Sequence, residues 1–297
     1  MEHSDQPVKV VVPASTANLG AGFDTLGMAL PLFMTVELGW AGGGNNYPTS
    51  NTGLIGSIIK QVMQEAEIDS PWYCQVDSQI PVARGLGSSA AAVIGALLAV
   101  NELLDRKMDQ QQILTRAAAL EGHADNVVPA LVGGFTTAML TPAGVYYQRF
   151  TPPDDLTLLL AVPDQKLATS GSRKVLPASV TLTDAVYNLQ RACYLVGAMA
   201  GGNYLGIKEA FHDCWHQPYR SNLVLGFQEL NNILTTRQDV LGVTLSGSGP
   251  SLLVLAVANP TEVHKIMERT LAEIGWQGSI YTWLPCSQGA QIERRSN

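Results

Sequence analysis

Long apolar runs are missing from this chain. The two longest, Ala90–Val100 and Ala192–Gly202, each stop at eleven residues, whereas a membrane-spanning helix needs about 20. The first residues include acids and a proline, where a signal peptide would have basic charge followed by an apolar stretch. The sequence therefore predicts neither a membrane protein nor a secreted one.

Basic charge and cysteine are also scarce. The 18 Lys and Arg residues against 25 Asp and Glu give a formal net charge of −7, and no basic run is longer than two residues. The chain thus lacks the electrostatic footprint of a protein that binds nucleic acid or anionic lipid. An anionic ligand would need local binding groups, such as helix ends or a few arginines. The four cysteines form no C-x-x-C pair, which favours reduced thiols in a cytoplasmic protein.

Apolar residues make up 46% of the 297 residues, which is ample for a buried core, and the length fits two domains. The segment from Thr151 to Asp155 is the predicted boundary, because two prolines beside acidic residues suit neither a helix nor a strand interior. This gives domains of residues 1–153 and 154–297. Periodicity predicts strands at 8–12, 33–38, 73–80, 156–162, 240–245, 252–258 and 279–284. It predicts helices at 51–67, 90–104, 110–120, 126–131, 184–200, 223–236 and 261–274. The order of these elements is typical of an α+β fold.

A loop rich in glycine and serine, residues 81–90, lies between a predicted strand and a predicted helix. Its glycines, Gly85 and Gly87, let the backbone approach a ligand closely, and Ser88 or Ser89 could cap the helix. The unpaired N–H groups at the start of that helix carry the positive end of its dipole and suit a phosphate. A tight turn with an ordinary cap is the alternative.

Three kinds of phosphate loop compete for this segment. A Walker A loop is excluded, because Gly-Lys-Ser/Thr occurs nowhere in the chain. Gly85-x-Gly87-x-x-Ala90 matches the dinucleotide fingerprint formally, but the acids that follow, Glu102 and Asp105, fall at the end of the helix instead of after a second strand. The third kind is the P-x-x-x-G-L-G-S-S-A loop of the GHMP small-molecule kinases, which this segment resembles throughout.

Further segments agree with the third interpretation. PASTANLGAGFDTLG follows the first predicted strand and LSGSGPS links two later strands, although alone each would indicate only a turn. Together with EGHADNVVPALVGGF and HQPYR, these blocks resemble the bacterial homoserine kinases within the GHMP superfamily, over residues 8 to about 260.

The resemblance implies a GHMP kinase fold, with an N-terminal ribosomal-protein-S5-domain-2-like domain and a C-terminal ferredoxin-like α/β sandwich. It implies that ATP is bound, that Ser89 or Ser88 holds Mg²⁺ together with Glu121, and that Asn51 lies near the adenine. The predicted nucleotide-binding residues of the loop are Pro81, Val82, Ala83, Arg84, Gly85, Leu86, Gly87, Ser88, Ser89, Ala90 and Ala91.

The resemblance also implies phosphorylation of the side-chain hydroxyl of L-homoserine, a step of threonine biosynthesis. Asp24 is the residue that would bind the ammonium group, while Arg173 and Arg220 would bind the carboxylate with planar bidentate donors. The remaining predicted substrate contacts are Asn18, His123, Asn126, Thr169 and Gly247. A GHMP kinase for another alcohol, of mevalonate type, would need no ammonium site. A catalytically silent GHMP-fold regulator would need no metal ligands.

No dedicated general base is evident. Several GHMP kinases have an aspartate near the position of Asn126, whose amide cannot take a proton, and neighbouring side chains such as that of Asp125 point in different directions. We therefore predict transfer without a strong protein base, with Asn126, Arg173 and Ser89 acting on the transferring group. Homodimers are common in the family, although the sequence itself shows no dimer surface.

Overall fold

The computed structural model describes residues 6–41, 53–106, 108–167, 169–204 and 206–293, without the side chains of residues 169 and 170. The strands are β1 Val8–Ala17, β2 Leu26–Trp40, β3 Trp72–Ser78, β4 Phe135–Thr141, β5 Gly144–Phe150, β6 Thr157–Pro163, β7 Val240–Leu245, β8 Leu252–Ala256, β9 Gly278–Trp283 and β10 Gln291–Glu293. The helices are α1 Leu54–Glu65, α2 Ser88–Leu103, α3 Gln110–Glu121, α4 Val127–Val132, α5 Thr169–Lys174, α6 Leu182–Gly201, α7 Ile207–Ala210, α8 Gln217–Arg220, α9 Phe227–Leu234 and α10 Pro260–Glu273. A 3₁₀ turn, Ser221–Leu223, follows α8.

The first sheet is antiparallel and is organised by the long strand β2. Strand β1 pairs along one edge of β2, whereas the other edge is shared by β4 near its start and by β3 near its end. The full order is β10-β1-β2-β4-β5 with β3 beside β2. Helix α2 packs on this sheet so closely that a Cβ on Gly95 would lie 2.7 Å from a methyl group of Val36. Small side chains thus let an almost wholly buried helix approach the strands.

The second sheet has the order β7-β8-β6-β9 and is antiparallel throughout. Its central strands are apolar on both faces because both faces are covered. In β6, Leu158 and Leu160 face the large core that includes α2, whereas Leu159 and Ala161 face the smaller core beneath α9 and α10. The strand order and the intervening helices agree with the expected ferredoxin-like arrangement.

The chain returns to the first sheet after crossing the second. Residues 151–156 between β5 and β6 form neither helix nor strand, while β10 at the other end of the described chain pairs with β1. The first sheet therefore includes one strand from the C-terminal part of the chain, β10, and the division at residues 153/154 stays a prediction. Among the described residues, no helix combines the length and the apolarity that crossing a membrane requires.

Candidate active site

A cleft of about 670 Å³ is lined by the loop after β1, the loop before α2 and the loop after β7. Most of the predicted site residues line it. These are Asn18, Asp24, Pro81, Val82, Ala83, Arg84, Gly85, Leu86, Gly87, Ser88, Ser89, Ala90, Glu121, His123, Asn126, Arg173, Arg220 and Gly247. Ala91 is instead fully buried inside α2. Asn51 and the side chain of Thr169 lie outside the described part of the structure.

The start of α2 faces this cleft. Gly87, with a φ of 67°, is the N-cap residue, and no side chain caps the helix. The expectation that Ser88 or Ser89 caps α2 is therefore wrong, because the helix begins at Ser88 and both serines belong to its first turn. Among the described residues, the first N–H groups consequently have no capping side chain, and they remain available to an anion.

Hydrogen bonds join the phosphate loop to the end of β1 and to the loop after β7. The Ser15 N–H donates to the carbonyl of Leu86 at 3.1 Å, and the Ser246 hydroxyl donates to the carbonyl of Gly85 at 2.7 Å. A Cβ on Gly85, whose φ is 73°, would lie 2.2 Å from the Ser246 carbonyl oxygen. Glycine is thus required here both for its backbone angle and for the close approach.

Two side-chain oxygens that could bind a cation lie close together at the edge of the cleft. The Ser89 hydroxyl donates to Oε1 of Glu121 at 2.5 Å. Ser89 lies in the first turn of α2, and Glu121 is the last residue of α3. A hydroxyl and a carboxylate beside a phosphate site match the preference of Mg²⁺ for a few protein oxygens plus phosphate and water.

The loop after β1 presents a carboxylate. Asp24 has a φ of 53°, and its N–H donates to Oδ1 of Asn18 at 2.9 Å. The other end of the Asn18 amide donates to the carbonyl of Gly247 at 2.7 Å. Oδ1 of Asp24 accepts from Nη2 of Arg173 at 2.6 Å. Asn18 therefore holds the Asp24 loop in place, and the two groups predicted to bind opposite charges of one amino acid already contact each other.

Two arginines converge on one aromatic ring. The guanidinium carbons of Arg173 and Arg220 lie 5.5 and 5.3 Å from the ring centroid of Phe23. Arg220 is only 2% exposed and donates to the carbonyl of Ser172 at 3.2 Å. Burial, reinforced by the charge of Arg173, lowers the pKa of Arg220 to about 10. Two cations held together in a partly desolvated site favour an anionic ligand.

A histidine, an acid and an amide from the segment before α4 also line the cleft. Nδ1 of His123 lies 2.7 Å from Oδ1 of Asp125, and this hydrogen bond raises the pKa of His123. The Ser15 hydroxyl donates to Oδ1 of Asn126 at 2.9 Å, which leaves the Nδ2 end of that amide for a ligand. Asp125 and Asn126 both line the cleft, but their side chains have different partners, His123 and Ser15 respectively.

His216 and Asp213 are supporting residues to which the sequence analysis gave no role. Nε2 of His216 lies 2.8 Å from the carbonyl oxygen of Gly20, and Nδ1 lies 3.4 Å from Nη1 of Arg220. Burial lowers the pKa of His216, so that a neutral ring donates to Gly20 and accepts from Arg220. The buried carboxylate of Asp213 accepts from the N–H groups of His216 and Gln217. The HQPYR block was the available signal, but only the fold shows what its histidine contacts.

Comparisons with known proteins identify relatives of this chain. The family model of the GHMP kinases N terminal domain matches residues 53–134. Over 96% of its length the chain is 38% identical to a homoserine kinase of Desulfitobacterium hafniense and covers 99% of that protein. A homoserine kinase of Aquifex aeolicus is 31% identical, with the same two coverages. The solved homoserine kinase of Cytophaga hutchinsonii superposes with a TM-score of 0.85 at 25% identity, over 99% of both chains.

Proposed function

The chain belongs to the homoserine kinase family of the GHMP kinases, and from this premise we propose that it transfers the γ-phosphoryl group of ATP to the side-chain hydroxyl of L-homoserine. One observation supports this assignment above the others. A single cleft combines an uncapped helix start with the carboxylate of Asp24 and the guanidinium groups of Arg173 and Arg220, which are the groups needed by a triphosphate and by a zwitterionic amino acid.

We propose the following placement of the two substrates. The phosphates lie on the loop before α2, and the amino acid lies between Asp24 and the arginine pair. Homoserine carries its ammonium and carboxylate groups on one carbon, so it can insert between Asp24 and Arg173 and replace their direct contact with one contact to each. Arg220, with no carboxylate among its hydrogen-bond partners in the described residues, supplies the second guanidinium for the substrate carboxylate.

Ser89 and Glu121 are the residues that would hold Mg²⁺. When bound, the ion would neutralise phosphate charge and orient the terminal phosphoryl group. The chain itself contributes the helix start after Gly87 and the amide of Asn126, which stabilise charge on the transferring group by fixed dipoles. Most of the rate acceleration is thus assigned to positioning of the hydroxyl and to charge stabilisation.

We infer that the hydroxyl proton leaves to phosphate or water. Two features support this inference. The Asp125 carboxylate is 2% exposed and is already used by His123, and a raised pKa favours the imidazolium form of His123, which donates a proton and does not accept one. Asp125→Asn should therefore lower turnover moderately. If it abolished turnover while both substrates still bound, Asp125 would be the missing base.

A coupled ADP-release assay tests the proposed substrate. The panel is L-homoserine, D-homoserine, mevalonate, galactose and L-serine. We expect turnover with L-homoserine alone. Mevalonate and galactose lack the ammonium group that Asp24 would bind, the hydroxyl of L-serine lies one methylene closer to the α-carbon, and D-homoserine has the opposite arrangement of groups at that carbon. Preferred turnover of mevalonate would indicate a kinase for another alcohol, and activity with none would indicate a silent binding protein.

Three further features are proposed from the family. These are a requirement for Mg²⁺, a homodimer and a cytoplasmic location. Sedimentation of the purified chain at several concentrations measures the second, and a mass that stays at the 31.7 kDa of one chain would contradict it.

A further inference from the structure

Arg84 lies in the phosphate loop, but its side chain is directed at backbone carbonyls. Nε donates to the carbonyl of Pro163 at 2.6 Å, and Nη1 donates to the carbonyl of Val82 at 3.1 Å. Nη2 donates to the carbonyl of Asp164. All three nitrogens of the guanidinium are thus engaged by main-chain oxygens of the protein.

These contacts join the phosphate loop to the segment that leads into α5. Pro163 ends β6, and the N–H of Leu167, a few residues later, donates to the carbonyl of Ala83 at 3.1 Å. One side-chain link and one main-chain link therefore connect residues 83–84 with residues 163–167. Ala83 has a φ of 57°, unusual for a residue with a Cβ, so this part of the loop keeps its shape only while its surroundings hold it.

Helix α5 follows this segment and carries Arg173. Its Ser172 hydroxyl donates to the carbonyl of Ser248 at 2.8 Å, and its Ser172 carbonyl accepts from Nε of Arg220. The helix is therefore held at one side by the loop after β7 and by the second arginine. Ahead of the helix, the contacts of Arg84 and Leu167 connect residues 163–167 to the phosphate loop.

We propose that Arg84 is a positioning residue that couples the nucleotide site to the amino-acid site. A nucleotide that fixes the phosphate loop also fixes the carbonyls of Pro163 and Asp164, and with them the start of the segment bearing Arg173. Each substrate then binds more tightly in the presence of the other, by the same factor in both directions. The inference rests on the proposed function, since it names the two ligands of the same cleft.

The test measures coupling by calorimetry. The Kd of L-homoserine is determined with and without saturating Mg²⁺ and a non-hydrolysable ATP analogue, for the wild-type chain, Arg84→Met and Arg149→Met. Arg149 is a matched control, because its guanidinium also donates to two backbone carbonyls, those of Val132 and Ser287, at 2.9 and 2.6 Å, and it does not line the cleft. Thermal unfolding of each variant reports any loss of stability.

We expect the nucleotide to tighten homoserine binding about 5-fold or more in the wild-type chain and in Arg149→Met. In Arg84→Met the ratio of the two Kd values should fall well below that of the wild-type chain, because only the main-chain link from Leu167 to Ala83 remains. Arg84→Lys, which keeps one donor toward the same carbonyls, should retain part of the coupling and keeps the proposal testable if the methionine variant does not fold.

Other results would overturn the inference. If Arg84→Met weakened only nucleotide binding, and more for a triphosphate than for a diphosphate, Arg84 would be a phosphate ligand. Coupling that was undiminished in Arg84→Met, or that was absent from the wild-type chain while both ligands bound, would remove the positioning role alone. A wild-type chain that bound no homoserine would overturn the proposed function and this inference together.

Discussion

Replacement of Asp24 by asparagine separates the role of its charge from the role of its backbone. Asparagine tolerates the φ of 53° at this position. The N–H that donates to Asn18 belongs to the main chain and is unchanged. The substitution therefore keeps the loop and removes one negative charge from the cleft.

The two expected effects of Asp24→Asn differ in size. In the ligand-free protein the carboxylate pairs with Arg173, but the two side chains are 34% and 38% exposed, so the pair contributes less than about 1 kcal/mol to stability. In the complex the carboxylate would accept a charge-assisted hydrogen bond from the substrate ammonium, worth about 1.5–3 kcal/mol. That range corresponds to roughly a 10- to 150-fold loss in kcat/KM for L-homoserine.

The assay compares L-homoserine with 4-hydroxybutyrate, which keeps the hydroxyl and the carboxylate but lacks the ammonium group. Asp24→Asn should lower kcat/KM for L-homoserine roughly 10- to 150-fold. It should leave kcat/KM for 4-hydroxybutyrate unchanged or improved, since Arg173 is released from its ion pair with Asp24. Asp239→Asn is the control, because it removes a carboxylate paired with Arg237 at the same 2.6 Å distance and does not line the cleft. Equal losses for both substrates would show that Asp24 acts only on the structure of the site.

Three further predictions test the phosphate loop, a supporting histidine and the metal site. Gly87→Ala places a Cβ 2.1 Å from the Ser15 hydroxyl and should abolish nucleotide binding in calorimetry. The control is Gly122→Ala, which is also at positive φ but in open space and should only lower the melting temperature. Retained nucleotide binding in Gly87→Ala would contradict the tight packing of the phosphate loop. Burial lowers the pKa of His216, so below pH about 6.5 the unfolded chain binds a proton that the folded chain does not. Unfolding free energy should then decrease as the pH falls, by up to about 1.4 kcal/mol per pH unit, and His216→Gln should flatten this dependence in urea titrations; parallel curves for the two proteins would refute the assignment. Glu121→Gln should raise the Mg²⁺ concentration for half-maximal activity about tenfold or more, and an unchanged requirement would exclude Glu121 from the metal site.

The second sheet was predictable because its strands have an unambiguous composition. Val240–Leu245 was predicted with both ends correct, and β6 was displaced by one residue. A short apolar run between turn residues indicates a strand covered on both faces, and the two cores on either side of β6 provide that cover.

Other strands depend on partners that lie far along the chain. The hairpin of β4 and β5 was not predicted, since Met139, Leu140 and Tyr146 are exposed and blur the alternation expected of a half-buried strand. Strand β10 has three exposed residues and exists through its pairing with β1. Local sequence patterns contain no signal for a pairing between residues about 280 positions apart.

For the candidate site, the motifs identified the residue types and most positions but not the contacts. The predicted serine cap of α2 was wrong because the helix starts one residue after Gly87, a boundary that sequence patterns locate only to within a few residues. Asn18 was predicted to contact the substrate, yet its amide is engaged at both ends by the protein. Which partner a polar side chain reaches is decided by the assembled loops.

The arginines show why charge counts alone do not predict an anion site. The chain carries a net charge of −7, but charges beyond about 8 Å are largely screened in physiological salt. Arg84 and Arg149 are oriented toward neutral carbonyls, whereas Arg173 and Arg220 converge on Phe23 beside the start of α2. The positive potential offered to a triphosphate and to the substrate carboxylate therefore comes from these two guanidinium groups and the dipole of α2, although Asp24 and Glu121 also line the cleft. An acidic chain can bind these groups because nearby arginines and a helix dipole act on them more strongly than the net charge does.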